Sequence, residues 1–513
     1  MNEQNYASIY DLPADTLPDV QAPPKPEIIY TRPEHLAAVA ALPAGFLIVR
    51  LFIYHVPGLF TTLLCWALVT LLLVFLHRSE LRLQRSSKLL AAVLYVMPLV
   101  YAISANRLLQ GLTTVFLIAA SGLFLLRAAN PDADVLRFLP MTVFSGTFGA
   151  AFPHFPDTFK AAGQGTVSKA LLKNFGYVLV GLAIAFPVTS IAASLLVNAD
   201  DNMASLLGNF LKLPPEEIIS LVFCILLGIP VGALAFSMLL TASRRFVTVE
   251  NAECEKKVEN LRFLPNVIAY AAATPLCVLY VLFFISQLRY LTGGFTGETA
   301  GFTYAEYARR GFFELCAVCC INLAMIAGMG FFSRISGAVK PVALRLYSGF
   351  LCLSSMILAG TALAKMGMYI RIYGMTRLRV YTSWFMIALV IGFGAILVRQ
   401  FFPAFNLGRF TAVLATVMLG LLCLSRPDAW ITRYNVEMYL SGHLESFDNE
   451  LMDDMSDDAW AVLASYDDAT LSRLVSHGQV YSSITPEALA FRAERQDFWQ
   501  RLNLSSVLLH ARR

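Results

Sequence analysis

The side chains of this sequence able to do chemistry are ionisable and hydrogen-bonding groups set inside otherwise apolar runs, and they gather in two places. The first is the segment from Gly301 to Asn322. Thr303-Tyr304-Ala305-Glu306 has the form of a capping box, which predicts a helix starting near Tyr304. On that helix Tyr307, Arg310, Gly311, Glu314, Val318 and Asn322 recur at three- and four-residue steps, so they share one stripe. Arg310 and Glu314 form an i,i+4 pair about one turn inside the apolar boundary. An ionised group at that depth is costly unless paired or hydrated, which marks Glu314 as a functional candidate. A plainer reading makes the pair a simple anchor at the membrane interface. The second place is Lys365 to Arg379, where Lys365, Arg371, Arg377 and Arg379 alternate with Tyr369 and Tyr373. Such a cluster can hold an anionic head group, or a carboxylate such as Glu306 or Glu314. The same residues also suit a belt of snorkelling bases and aromatics.

Other signals are structural first. Pro98, Pro187, Pro230 and Pro275 fall within apolar runs. Each removes a backbone donor, and the freed carbonyl must find a partner or a hydrated cavity. They read either as discontinuous helices around a substrate site or as kinks that shape a bundle. Gly228 and Gly232 form a GxxxG suited to close helix contact. Cys316, Cys319 and Cys320 contain a CxxC, but a second pair and a neighbouring His are missing, so they read as small apolar packing groups. The seven histidines show no zinc spacing, and Asp448 to Asp458 lacks the Gly and ligand spacing of a calcium loop and reads as a solvated, helix-capping acidic face. Phosphate-binding and nucleotide-binding glycine motifs and a nucleophile elbow are missing too, so no cofactor, metal or catalytic set is expected. Dispersed bases give no support for nucleic-acid binding.

The elements that must position these groups follow from composition. Of the 513 residues, 57% are hydrophobic and 14% charged, with mean hydropathy +0.62. Soluble domains carry about 25% charged residues, so a conventional cytosolic protein, a disordered chain and a disulfide-stapled module are excluded. Apolar runs of spanning length fall at 36–53, 59–76, 88–104, 109–126, 175–197, 218–240, 266–286, 312–332, 342–363, 380–398 and 408–424, about eleven spans. Their continuity excludes a β-barrel. The expected fold is therefore all-α, a polytopic transmembrane helical bundle.

Residues 1–35 are Pro-rich and acidic and read as a disordered tail. Residues 36–425 form the transmembrane domain. Residues 426–513 form an acidic helical C-terminal region, with Gly442 as a C-cap and Thr485-Pro486-Glu487 as a helix start. The long loop 127–174 is semi-apolar and suits an interfacial or re-entrant segment. Net charges of −4, +14 and −6 in the three regions cancel to +4. Loops on the N-terminal side carry 17 Lys and Arg against 9 on the opposite side. The positive-inside rule then puts the N-terminus in the cytoplasm, and eleven spans put the C-terminal region outside.

At the two polar clusters the sequence resembles a bacterial multi-pass family. The stretches that carry the likeness are Phe284-Ile285-Ser286-Gln287-Leu288-Arg289-Tyr290-Leu291, Thr303 to Leu315, Lys365-Met366 to Tyr369, and Tyr373-Gly374-Met375-Thr376-Arg377-Leu378-Arg379. Arg426-Pro427-Asp428-Ala429, followed by Arg433-Tyr434-Asn435, also fits its pattern of an asparagine-bearing segment after the last span. The family is the one catalogued as domain of unknown function 4153/4173. The resemblance is specific over 265–440 and general by hydropathy before that. It implies a bacterial plasma (inner) membrane protein and no particular activity.

Three functional classes are open on the sequence. One is a non-enzymatic transport, channel or lipid/solute-handling protein with a polar site between the 303–322 and 365–379 segments, whose partners are the lipid bilayer and an anionic lipid or small solute. A second is a sensor or assembly subunit that holds a protein partner through its C-terminal region. The third is a membrane-embedded enzyme on an envelope substrate. A single acid within the apolar part of the spans ranks the first above the others.

Overall fold

A computed structural model describes residues 28–81, 83–163, 215–247, 249, 251–294, 312–334, 341–444, 447, 454–475 and 502–510, with Tyr177, Gly181, Ala185 and Thr189 as isolated positions. Among them the regular structure is helical throughout, and one isolated bridge pairs Leu264 with Ser333. The helices are α1 (Arg32–Val49, continued by a π turn Arg50–Tyr54), α2 (Leu59–Arg78), α3 (Arg85–Val96), α4 (Leu99–Ile103), α5 (Arg107–Ala129), α6 (Leu139–Phe144, followed by a π turn Ser145–Gly149) and α7 (Phe155–Ala162). Then come α8 (Pro215–Ser243), α9 (Asn251–Asn260), α10 (Asn266–Gly294), α11 (Phe312–Phe332), α12 (Val342–Tyr373), α13 (Arg377–Phe401) and α14 (Leu407–Leu424). The C-terminal region supplies α15 (Pro427–Leu440), α16 (Asp457–Leu463), α17 (Asp468–Val475) and α18 (Leu504–His510).

Ten spans among the described residues are long and apolar enough to cross a membrane. They coincide with ten of the eleven runs read from hydropathy. The run 175–197 lies outside the described residues apart from the four isolated positions. A bilayer offers the backbone no partners, so helices that satisfy their own N–H and C=O groups are the form such runs must take.

Pro98 breaks a span into α3 and α4. At the break α2 supplies side-chain donors to the backbone: Thr62 Oγ1 donates to Pro98 O at 2.8 Å and Trp66 Nε1 donates to Tyr95 O at 2.8 Å. Pro43, Pro230 and Pro275 sit inside helices that continue past them. Pro187 lies outside the described residues.

Two helix pairs approach so closely that glycine is required. A Cβ added to Gly45 of α1 would lie 2.1 Å from Gly228 O of α8, and one added to Gly232 would lie 2.2 Å from Ala41 O. The GxxxG thus makes a backbone-to-backbone contact. Beyond α5 the semi-apolar loop docks through α6, its π turn and α7. Gly146 abuts Gly122 of α5, and the Ser237 and Thr241 hydroxyls of α8 donate to Ala150 O at 3.2 and 3.0 Å. Phe144, Phe148 and Phe152 point outward. Asp157 anchors α7. Burial pushes its carboxyl up, but hydrogen bonds from Lys160 and His154 outweigh that and hold it below its ordinary range.

The loops separate into two faces. On the face where α1 begins, Arg244 grips buried Glu34 with contacts of 2.6 and 2.7 Å, Asn406 Nδ2 donates to Asp134 at 2.6 Å, and Arg127 Nε donates to Ser86 at 3.0 Å. On the opposite face, the turn 55–58, the turn 104–106 and the turn 374–376 meet the C-terminal region. Leu59 N donates to Leu502 O at 2.7 Å, which seats the last described segment on the start of α2. The C-terminal region has its own core, in which Trp460, Leu463, Leu471 and Leu509 pack with Ile431 and Val436 against Val380 of α13.

Candidate functional site

The α12–α13 turn carries the second polar cluster, and its geometry begins with Gly374. At φ 73°, ψ −177° Gly374 closes α12 in a conformation open essentially to glycine alone. The turn that follows is clamped from the C-terminal region. Asn435 on α15 accepts from Met375 N at 2.7 Å and donates to Met375 O at 2.8 Å, so one amide side chain pairs with both backbone groups of one residue. Arg379 folds back from the first turn of α13 and donates to Tyr373 O at 3.0 Å and Gly374 O at 2.5 Å. These are carbonyls at the end of α12, where a cation is favoured. The same guanidinium lies 4.3 Å from the Tyr369 ring centroid, within cation–π range, and Tyr369 leans on Tyr373 at 4.7 Å.

Beside this turn lies a cavity of about 380 Å³, bounded by Phe312 and Phe313 at the start of α11, Met366 and Tyr369 of α12, and Thr376, Leu378 and Arg379. It therefore opens between the two segments singled out by sequence. Six of its seven lining side chains offer apolar or aromatic surface or a hydroxyl, and the seventh is a cation.

The remaining sequence candidates are placed as follows. Tyr304, Glu306, Tyr307 and Arg310 lie outside the described residues. Glu314 is exposed on the first turn of α11, and among the described residues no ion pair reaches it. Lys365 is half-buried on α12, while Arg371 and Tyr373 are exposed. Asn322 sits apart from the cavity, about 15 Å along α11 from Phe312 at 1.5 Å per residue. It is buried in a chain of hydrogen bonds joining three spans: Tyr280 OH donates to Asn322 Oδ1 at 2.5 Å, and Asn322 Nδ2 donates to Ser355 Oγ at 2.9 Å. Asn322 thus ties α10, α11 and α12 together. Cys319 is buried next to it with Sγ 3.6 Å from Ser355 O, Cys316 is half-buried and Cys320 exposed; all three are free thiols. Among the described residues no group of His, Cys, Asp and Glu could hold a metal ion.

The carboxylate that Arg377 meets is Asp428. Arg377 Nε donates to Asp428 Oδ1 at 2.9 Å and its Nη2 donates to Oδ2, a bidentate pair. Asp428 is fully buried and also accepts from Asn106 Nδ2 at 3.0 Å and from Ser456 N at 3.1 Å. Asn106 Nδ2 donates to the hydroxyl of Tyr381 at 2.8 Å as well. A second buried carboxylate, Asp458, accepts from Ala105 N at 3.1 Å, from the hydroxyls of Ser104 and Ser505, and from Arg426 Nη2 at 3.5 Å. Both aspartates lie in the first turn of a helix, where the backbone dipole favours an anion. Together they bolt the C-terminal region to the turns at 104–106 and 374–376.

Sequence reasoning gave Asn106 and Ser104 no role, took Asp428 only as part of the family pattern, and read Asp448 to Asp458 as a solvated, helix-capping face. Asp458 does lie in the first turn of a helix but is fully buried, because its carboxylate is met by partners from other elements. The available signals were local: Asp428 follows Arg426-Pro427, a helix start, and Asp458 follows Ser456-Asp457. The partners, separated by 28 to 354 positions, could not be read from spacing.

The match with known proteins is at family level. Residues 89–466 match the family described as Domain of unknown function (DUF4153). The chain belongs to this family. Its matched region runs from α3 into the C-terminal region, past Trp460, so Asp428, Asn435 and Asp458 fall within the family unit, while Leu502 and Ser505 lie beyond it. No curated protein and no solved structure matches the chain. With its apolar helices, the DUF4153 chain is an integral, multi-pass membrane protein.

Proposed function

We propose that this protein is a non-enzymatic lipid-handling membrane protein that takes an anionic amphiphile into the cavity between α11 and the α12–α13 turn. One observation carries the reading: a single guanidinium, Arg379, faces a wall of Phe312, Phe313, Met366, Tyr369 and Leu378. An anionic head group needs the cation and its attached chain needs the apolar wall. Arg379 is already ordered by the Tyr369 ring and two carbonyls, so little freedom is lost when a ligand arrives. Asn435 and Arg377 hold the turn that bears Arg379, and this favours a role for the C-terminal region in shaping the site rather than a detached one. The excess of basic residues on the other face, 17 against 9, supports a cytoplasmic N-terminus and an exterior position for the C-terminal region and this cavity.

The test uses purified protein in nanodiscs of phosphatidylcholine, titrated with spin-labelled phosphatidylglycerol or phosphatidylcholine. Saturable binding of the anionic probe is expected, weakened about tenfold by Arg379→Gln, the worth of one charge-assisted hydrogen bond. Leu378→Trp, which narrows the cavity from an exposed position, should weaken binding with Arg379 intact. Equal binding of the two probes, or binding indifferent to both substitutions, would overturn the reading.

A further inference from the structure

A second apolar recess lies at the other end of the bundle. It occupies about 470 Å³ between α1 and α2, with α5 and α8 as its floor. On α1 the wall is a stripe of small side chains, Ala37, Ala40, Ala41 and Ala44, at three- and four-residue steps. These alanines leave room where larger residues would close the gap. On α2 the facing wall is Leu68, Leu72 and Phe75, and it ends at Arg78, the last residue of the helix.

The dimensions identify the occupant. From Leu68 to Arg78 the wall runs about 15 Å at 1.5 Å per residue, and one leaflet is about half of a 30 Å hydrocarbon core. The recess is thus one leaflet deep, with its cation at head-group level on the face where α1 begins. At about 30 Å³ for a water-sized unit, its volume takes on the order of fifteen methylene-sized groups. Arg78 is exposed, and among the described residues neither a carboxylate nor a hydrogen-bond acceptor engages it. The lining is otherwise apolar apart from Ser121.

We infer that this recess holds one acyl chain of an anionic phospholipid from the leaflet on the α1 start side, with the phosphate at Arg78. The site stands on residues separate from the Arg379 cavity and owes nothing to it. An apolar recess gains little over lipid tails for an acyl chain as such. Preference must therefore come from the head group, at about 1 kcal/mol per basic residue near an anionic surface, or about fivefold.

Photolabelling tests it. The full-length protein in phosphatidylcholine nanodiscs is irradiated with phosphatidylglycerol or phosphatidylcholine bearing a diazirine in the acyl chain, and the labelled peptides are mapped by mass spectrometry. Labelling of the 36–48 and 68–78 stretches by the phosphatidylglycerol probe is expected, competed by unlabelled phosphatidylglycerol about fivefold better than by phosphatidylcholine. Arg78→Gln should erase that preference. Ala40→Phe, which fills the recess from an exposed position, should remove labelling with the charge kept, and Arg379→Gln should change nothing here. Equal labelling by both probes, or labelling unaffected by Arg78→Gln and Ala40→Phe, would mean ordinary annular lipid and would overturn the inference.

Discussion

Replacing Asp428 with Asn would probe what holds the C-terminal region to the membrane helices. The substitution keeps the shape of the side chain and removes its charge. In the native protein every hydrogen bond aimed at Asp428 comes from a donor: Arg377 twice, Asn106 once, and the backbone and hydroxyl of Ser456. An amide turns two N–H groups of its own toward that set, so some donors lose their acceptor. Removing one partner of a buried ion pair costs about 3–5 kcal/mol. The Arg377 side chain is 29% exposed and can rehydrate in part, which puts the cost near the lower end, about 3 kcal/mol. That corresponds to roughly two orders of magnitude in the equilibrium between docked and open forms.

Hydrogen exchange reads this directly. Amides of α16 and α17, whose side chains Trp460, Leu463 and Leu471 pack with Ile431 and Val380, should exchange about a hundredfold faster in Asp428→Asn. The paired change Arg377→Met with Asp428→Leu should restore part of the protection, because no orphaned charge remains, while Ser456 and Asn106 still lack the acceptor they had in Asp428. Unchanged exchange in Asp428→Asn would refute the view that this pair bolts the region. A double variant as open as the single one would show that the cost does not come from uncompensated charge.

Two further substitutions test the turn and the bundle. Gly374→Ala forces a side chain into a glycine-only conformation and places its methyl 2.7 Å from Asn435 Oδ1; a loss of about 1–3 kcal/mol should appear as a lower melting temperature, and an unshifted melt would remove the glycine argument. Asn322→Leu strips Tyr280 and Ser355 of their shared partner, for a loss of about 0.6–1.7 kcal/mol in detergent unfolding. The triple change Tyr280→Phe, Asn322→Leu and Ser355→Ala should cost less than its single steps combined, since it leaves no polar group alone; strictly additive losses would count against the network.

How far the sequence reached differs between the two clusters. In the second, Tyr369, Tyr373 and Arg379 were legible because their interactions are local: Arg379 reaches back five and six residues to carbonyls of its own turn. Arg377 was legible as a base needing an anion, yet the anion is Asp428, 51 positions away and on a helix of the C-terminal region. Spacing put Asn322 near one stripe with Glu314, yet eight residues carry a helix about 80° past two full turns, and Asn322 is buried where Glu314 is exposed. A stripe on a helix can face different neighbours along its length, and the lower part of α11 meets α10 and α12 rather than the cavity. The two recesses were invisible in the sequence, since a cavity exists only where separate helices fail to fill the space between them.

Composition and run length by themselves determined that this chain is an all-α bundle crossing a bilayer. The physical reason is that continuous apolar runs of spanning length have no other way to satisfy their backbone. They also fixed the helix-ending role of Gly442, which takes φ 74°, and the close-contact role of Gly228 and Gly232. Only the tertiary structure decided which polar groups are partners. Asp428 with Arg377, and Asp458 with Ser104 and Arg426, are contacts between elements far apart in the chain, made possible where the turns of one face meet α15, α16 and α18. Buried charge in a low-dielectric setting demands a partner, but which one is set by the packing of helices, and that packing follows from shape complementarity such as Gly45 against Gly228, spread over the whole bundle.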